Sequence, residues 1–238
     1  MAQNSDPATL ALVLAWTYGG IPFGVLRADD SALRASEEAV QTAQRASSDH
    51  ALFYAEYALG AVLLYRDAAA DRHRGLELMV QAREWQREQA PTLVPVTELL
   101  AAPERARRGD RDAAIAVIRQ AVDELHQAGR LGFGVFGAGI LVETLLERGA
   151  EGDLAEAQEA FDWLANLWAD DGSAMREITL LRLRALLSRA RGDDVAYRDL
   201  VSRDRAMAES FGFEGRIAWA KAMIEGGEQS TALNGHYR

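Results

Sequence analysis

The chain has 238 residues, 49% hydrophobic and 26% charged, a globular composition long enough for two compact domains or one continuous repeat array. Its net charge of -10, from 26 Lys and Arg against 36 Asp and Glu, argues against direct nucleic-acid binding and against adhesion to anionic membranes. The absence of cysteine excludes disulfides, thiolate catalysis and Cys-ligated metal sites, and fits a cytoplasmic protein.

Asp6-Pro7 predicts a helix start, with Asp as N-cap and Pro at the first helical position. The apolar run Leu10 to Trp16 lacks the preceding cation of a signal peptide, and no run reaches the roughly 18–20 residues of a membrane span. Gly19-Gly20 ends this helix. After a break at Ile21 to Gly24, Asp30-Ser31 opens a second helix to about Ala46, whose Ala32, Ala39 and Ala46 suit close approach of another helix. Asp49 is the expected cap of a third helix, Ala51 to Tyr65, and a fourth runs from about Arg72 to Gln89. Pro91 and Pro95 punctuate the next connection. A fifth helix spans Val96 to Arg108, with Pro103 predicting a kink or a split.

Past Gly109-Asp110, a sixth helix runs to Gln127 and is closed by Gly129, and Leu131 to Glu147 is the seventh. Asp153 caps the eighth, with Glu156 completing a capping-box-like pair. Leu154, Ala157, Phe161, Leu164 and Trp168 form its apolar stripe. Ser173 caps the ninth helix, which reaches Arg191, and Gly192-Asp193 opens the tenth. Beyond Phe211-Gly212-Phe213, a final amphipathic segment ends near Met223, and residues 224–238 read as a flexible polar tail. No stretch alternates with period two, so no strand is expected.

Gly109-Asp110, Gly152-Asp153 and Gly192-Asp193 are 43 and 40 residues apart, a period of two helices and two turns. Ala114 and Ala121 follow Gly109 at the spacing of small residues in the second helix of a tetratricopeptide (TPR) repeat. Ala157 keeps the first position in the next unit and Leu164 replaces the second, while Tyr197 and Asp204 break both after Gly192. Gly75 with Ala82, and the pair Leu59-Gly60, match the same pattern upstream. The period exceeds the roughly 34 residues of a standard TPR. The expected fold class is therefore all-α: an α-solenoid of degenerate TPR-like helical pairs. Residues 1–223 would form a single repeat domain of about five helical pairs plus a final helix.

This pattern, with Phe211-Gly212-Phe213-Glu214-Gly215-Arg216-Ile217-Ala218-Trp219-Ala220-Lys221-Ala222-Met223, resembles the C-terminal TPR-like region of large actinobacterial, mycobacterial-type signalling proteins. Those proteins combine a class III adenylate/guanylate cyclase domain, an AAA-type ATPase domain and sometimes a LuxR-type DNA-binding domain. The resemblance implies a non-catalytic regulatory or scaffold module in signalling or transcription control. It also implies partners that are proteins, peptides or neighbouring domains of a longer parent. It carries no catalytic residue across to this chain.

Gly132-Phe133-Gly134-Val135-Phe136-Gly137 matches the dinucleotide fingerprint, but a helix rather than a strand precedes it, so a close helix–helix contact is expected instead. Gly19 and Gly24 have P-loop spacing, yet Val25-Leu26 stands where Lys-Ser/Thr is required. His50, His73, His126 and His236 fall on different elements, and no metal or other cofactor is expected. The acid pairs Asp29-Asp30, Asp170-Asp171 and Asp193-Asp194 sit beside helix starts and read as dipole partners, and Glu37-Glu38 is a fourth pair. Arg105, Arg107, Arg108 and Arg111 read as a solvated turn, and the Arg-Gly-Asp tripeptides at Arg108 and Arg191 as turn punctuation.

One recognition feature remains. If Leu59-Gly60 marks a TPR-like first helix, Tyr54, Tyr57 and Tyr65 point to the side on which such repeats bind peptides or ligands. Packing against a neighbouring repeat is the competing expectation. A small-molecule-sensing effector domain is the alternative function, and oligomerisation stays open.

Overall fold

The computed structural model describes residues 6–167 and 173–235, the side chains of residues 131 and 226–235 excepted. Trp168, Asp170-Asp171 and His236 lie outside the described residues. Among the described residues there is no strand. The helices are α1 (Pro7–Tyr18), α2 (Asp30–Arg45), α3 (Asp49–Leu64), α4 (Ala69–Gln89), α5 (Val94–Arg107) and α6 (Arg111–Gln127), followed by α7 (Leu131–Arg148), α8 (Asp153–Asn166), α9 (Ala174–Ala190), α10 (Asp194–Phe211) and α11 (Glu214–Gly235). A short 3-10 turn, Pro91–Leu93, precedes α5. The described residues are all-α, and within each of two units consecutive helices pack on one another, as in a helical-repeat solenoid.

Two compact units divide the chain, one through Arg130 and one from Leu131. In the first, α1 and α2 both pack on α3, then α3 on α4, α4 on α5 and α5 on α6. The centre is α3, whose residues from Ala58 to Leu64 are all buried. At Gly60 and Gly75, α3 and α4 come so close that a Cβ on Gly75 would lie 2.9 Å from the Leu64 backbone nitrogen. In the second unit, α7, α8 and α9 pack on one another, α9 packs on α10, and α10 on α11.

Several boundaries differ from those expected, each for a local reason. Asp6 caps α1 as predicted, accepting from the Thr9 N–H at 3.1 Å. Asp29 rather than Asp30 caps α2, and Ser48 rather than Asp49 caps α3, because the extended residue lies one position earlier. Ala46 is the exposed C-cap of α2, so Ala43 joins Ala32 and Ala39 on the buried face in its place. The good helix formers Ala69 and Ala70 start α4 before Arg72. α11 continues to Gly235, past the end expected near Met223.

Pro103 does not split α5, which is helical throughout. Leu99, Leu100, Ala101 and Ala102 before it and Glu104 and Ala106 after it are buried. Packing on both sides therefore holds a helix in which an interior proline costs about 3 kcal/mol.

The three Gly-Asp turns share a left-handed glycine, with φ of 100° at Gly109, 89° at Gly152 and 77° at Gly192. Their aspartates do three different things. Asp193 is a side-chain cap, accepting from the Ala196 N–H at 2.9 Å. Asp110 makes no capping hydrogen bond. Asp153 is not a cap and forms no capping box with Glu156: Gly152 is the N-cap, and Asp153 is buried and engaged otherwise. It accepts from Arg148 at 3.0 and 2.6 Å and from the Ala150 N–H at 2.8 Å. Ser173 precedes α9 without a side-chain cap.

These roles set an expected order of stability. Asp193→Ala should cost about 1 kcal/mol, whereas exposed Asp110→Ala should stay within about 0.5 kcal/mol of wild type. Thermal unfolding of the two variants checks this, and equal losses would contradict the assignment.

Candidate functional site

Tyr54 and Tyr57 lie on α3, and Tyr65 follows its last residue. About 16 Å of helix rise separates Tyr54 from Tyr65, so the three do not converge on one point. Tyr54 packs partly on the alanine cluster of Ala11, Ala39, Ala43, Ala51 and Ala55. Tyr65 packs on Tyr18, Ile21, Ala32, Ala58 and Val62. Both of these contacts serve the packing of α1 and α2 on α3. Tyr57 is half-buried, and burial pushes its hydroxyl up to about 12 against a hydrogen bond with Thr97. Thr97 in turn donates to the Gln86 side chain at 2.7 Å, both residues being buried, so Tyr57 belongs to the polar tie that joins α3, α4 and α5.

An aromatic group surrounds Tyr54. Phe53 stacks on Trp85 of α4 with centroids 3.8 Å apart, and exposed His50 presents its edge to Tyr54 at 4.9 Å. The face-to-face stack leaves no space between the rings for a ligand.

Arg107, Arg108 and Arg111 are exposed, as expected of a solvated turn, but three of the four arginines of this cluster also pair with acids. Arg105 donates to Glu98, which Arg83 also contacts at 2.9 Å. Glu104, 5% exposed, accepts from Arg72 at 3.0 Å, Arg108 at 3.1 Å and Arg107 at 3.4 Å. Burial raises both carboxyls, but these hydrogen bonds outweigh it and hold Glu98 and Glu104 below the usual carboxylate range. Arg105, Arg107 and Arg108 are thus both turn residues and the counter-charge of two inward-facing glutamates.

The second unit holds the polar group that sequence reasoning passed over. Asp204 in α10 follows Gly192 at the distance by which Ala121 follows Gly109, and it is as buried as that alanine. Neither of its carboxylate oxygens accepts a hydrogen bond among the described residues. Burial pushes Asp204 up to about 6, against the pull of Arg216 and Arg182. Arg216 of α11 is itself 4% exposed, donates to the Thr179 hydroxyl at 2.8 Å, and is pushed down to about 10, mainly by burial. The signal was present in the sequence: an aspartate at a repeat position occupied elsewhere by Ala82, Ala121 and Leu164.

Beside this pair, α7 and α9 enclose a cleft of about 420 Å³. Glu143, Leu146 and Glu147 of α7 and Arg182, Leu186, Arg189 and Ala190 of α9 line it, Leu146 and Leu186 half-buried and Ala190 exposed. Arg182 donates to Glu143 at 2.8 Å and stands 4.9 Å from the Trp219 ring centre. Arg189 stands 5.4 Å from the Tyr197 ring centre, and the Tyr197 hydroxyl donates to the Met223 carbonyl at 2.9 Å. Aromatic rings from α10 and α11 thus brace both guanidinium groups.

The remaining sequence features resolve simply. Gly132 to Gly137 lie inside the start of α7 and form no phosphate-binding loop. A Cβ on Gly134 would meet the Trp163 ring at 3.6 Å, an ordinary contact distance, while one on Gly132 would meet nothing within 4 Å. Gly19 to Gly24 form a turn. His73 lies 3.4 Å from Glu77 on the surface of α4, and His126 is exposed near the end of α6. Among the described residues no group of three or more His, Asp or Glu could hold a metal ion. No helix there is long and apolar enough to cross a membrane. No protein-family model matches the chain, and no curated protein or solved structure matches it.

Proposed function

We propose that this chain is a non-catalytic regulatory or scaffold module that docks a protein partner, or a neighbouring domain of a longer polypeptide, in bacterial signalling or transcription control. The observation that carries this reading is the outer face of α1. That helix has no charged residue between Pro7 and Tyr18 and buries Ala11 and Tyr18 against its own unit. On the opposite side, Leu12, Val13 and Trp16 share one face at 100° per residue and are 38%, 54% and 74% exposed. A helix that is apolar all round is normally covered all round. Covering the exposed parts of these three side chains would contribute about 2–5 kcal/mol in all. The tight Gly60–Gly75 crossing and the buried Ala82, Ala114 and Ala121 support the TPR-like repeat type.

Trp16→Glu tests the reading. It should weaken binding of a co-purifying partner at least tenfold, or about 1.4 kcal/mol, while leaving the melting temperature unchanged, since Trp16 packs little in the free chain. Unchanged binding sinks the α1 docking surface, and measurable ATP turnover by the purified chain sinks the non-catalytic assignment.

A second reading, a small-molecule-sensing effector domain, is favoured by the α7/α9 cleft, whose volume is in the range of ligand pockets.

A further inference from the structure

Resting on that second reading, we infer that the α7/α9 cleft binds a small dipolar molecule, one carrying a carboxylate and an ammonium group joined by a short apolar link. The inference starts from the arrangement of charge. Two glutamates from one helix and two arginines from another line the cleft together with half-buried Leu146 and Leu186. A purely anionic ligand drawn to Arg182 and Arg189 would bring its charge beside Glu143 and Glu147, and a purely cationic one would meet the converse problem. Like-charge approach in a partly desolvated cleft costs several kcal/mol. A ligand with one group of each sign gains from both kinds of charge, and its apolar link packs on Leu146 and Leu186.

Orientation of the arginines is the second support. Trp219 lies against Arg182 and Tyr197 against Arg189, and Tyr197 is fixed by its bond to the Met223 carbonyl. Each guanidinium is therefore held before a ligand arrives, which lowers the ordering cost of binding. The Arg182–Glu143 contact at 2.8 Å sets the inner end of the cleft, the two side chains being 17% and 35% exposed. Toward solvent, Glu147 and Arg189 are both exposed and present one charge of each sign. The ligand carboxylate is assigned to Arg189 and the outer edge of Arg182, and the ammonium to Glu147, with Glu143 behind it.

The test uses the full chain and four probes: 3-aminopropanoate and 6-aminohexanoate, which carry both charges at two spacings, and hexanoate and hexylammonium, which carry one each. Titrations followed by calorimetry and by amide chemical shifts should show saturable binding of at least one zwitterion, at least tenfold tighter than either singly charged probe, with shifts concentrated in α7 and α9. Arg189→Gln and Glu147→Gln, both at exposed positions, should each weaken that binding about tenfold while keeping the helical circular dichroism spectrum and melting temperature of wild type. If hexanoate binds as tightly as the zwitterions, or Glu147→Gln has no effect, the dipolar class is overturned although a sensor site for anions would stand. Saturable binding by none of the four overturns the cleft as a ligand site.

Discussion

Gly75→Ala is expected to destabilise the first unit by about 2–3 kcal/mol, although alanine is the better helix former. The new Cβ would lie 2.9 Å from the Leu64 nitrogen, 3.0 Å from the Gly60 carbonyl oxygen and 3.0 Å from the Leu63 Cβ. Two of these atoms are α3 backbone and cannot turn aside, so α3 and α4 must separate where Leu63 and Met79 are each 1% exposed. The gain in helix propensity, about 1 kcal/mol, is smaller than the packing loss. Gly60→Ala meets the Met79 Cε at 2.5 Å and the Leu78 Cβ at 3.1 Å. The first is the far end of a flexible side chain, so that variant should lose less. Gly139→Ala is the control: Gly139 lies inside α7 with nothing within 4 Å of the added carbon, and alanine there should stabilise by about 1 kcal/mol. Urea denaturation followed by circular dichroism should therefore rank Gly75→Ala lowest, then Gly60→Ala, wild type and Gly139→Ala. A Gly75 variant as stable as the Gly139 variant would show that α3 and α4 do not cross this closely.

The helices were legible in the sequence because turn residues and apolar spacing are local signals. Gly109, Gly129, Gly192 and Gly212 end or precede helices as their types demand, each with positive φ. The small-residue pattern also marked the right contacts, since Gly60, Gly75, Ala82, Ala114 and Ala121 are all buried. What a side chain does at a turn was less legible. Asp110, Asp153 and Asp193 occupy equivalent positions, yet only Asp193 caps, because Arg148 captures Asp153 from the preceding helix. The same limit applies to the sites. Glu104 draws Arg72 from 32 positions away, and Glu143 draws Arg182 from 39, separations at which no periodicity operates. Tyr54, Tyr57 and Tyr65 read from helical spacing as one face, but which neighbour covers each of them depends on α1, α2 and α5.

Asp204→Ala is expected to cost the second unit less at neutral pH than the about 3–5 kcal/mol lost when a hydrogen-bonded buried pair is broken, because neither Asp204 oxygen accepts a hydrogen bond and burial outweighs the pull of Arg216 on its carboxylate. The double variant Asp204→Leu with Arg216→Met should be at least as stable as wild type at neutral pH. Leucine fills the equivalent position at Leu164, where it is fully buried, and a well-packed apolar pair commonly matches a buried ion pair in stability. The pair also predicts a pH dependence with a definite sign. The folded carboxyl titrates near 6 rather than at its ordinary 3.8, so between these values the folded chain holds a proton that the unfolded chain has released. Asp204 therefore adds most to stability below pH 3.8, and that contribution is lost as pH rises through about 6. Glu98 and Glu104 act in the opposite sense in the first unit: their lowered values stabilise it at neutral pH and cease to do so as pH falls through the carboxylate range. Comparing wild type with Asp204→Asn isolates the first effect, since the amide cannot titrate while the two glutamates are common to both proteins. Thermal unfolding at pH 4.5, 5.5 and 7 should show the wild type losing stability relative to the variant as pH rises. A difference that stays constant across this range would mean that Asp204 is solvated, and a solvated carboxylate would remove the reason for Arg216 to be buried opposite it.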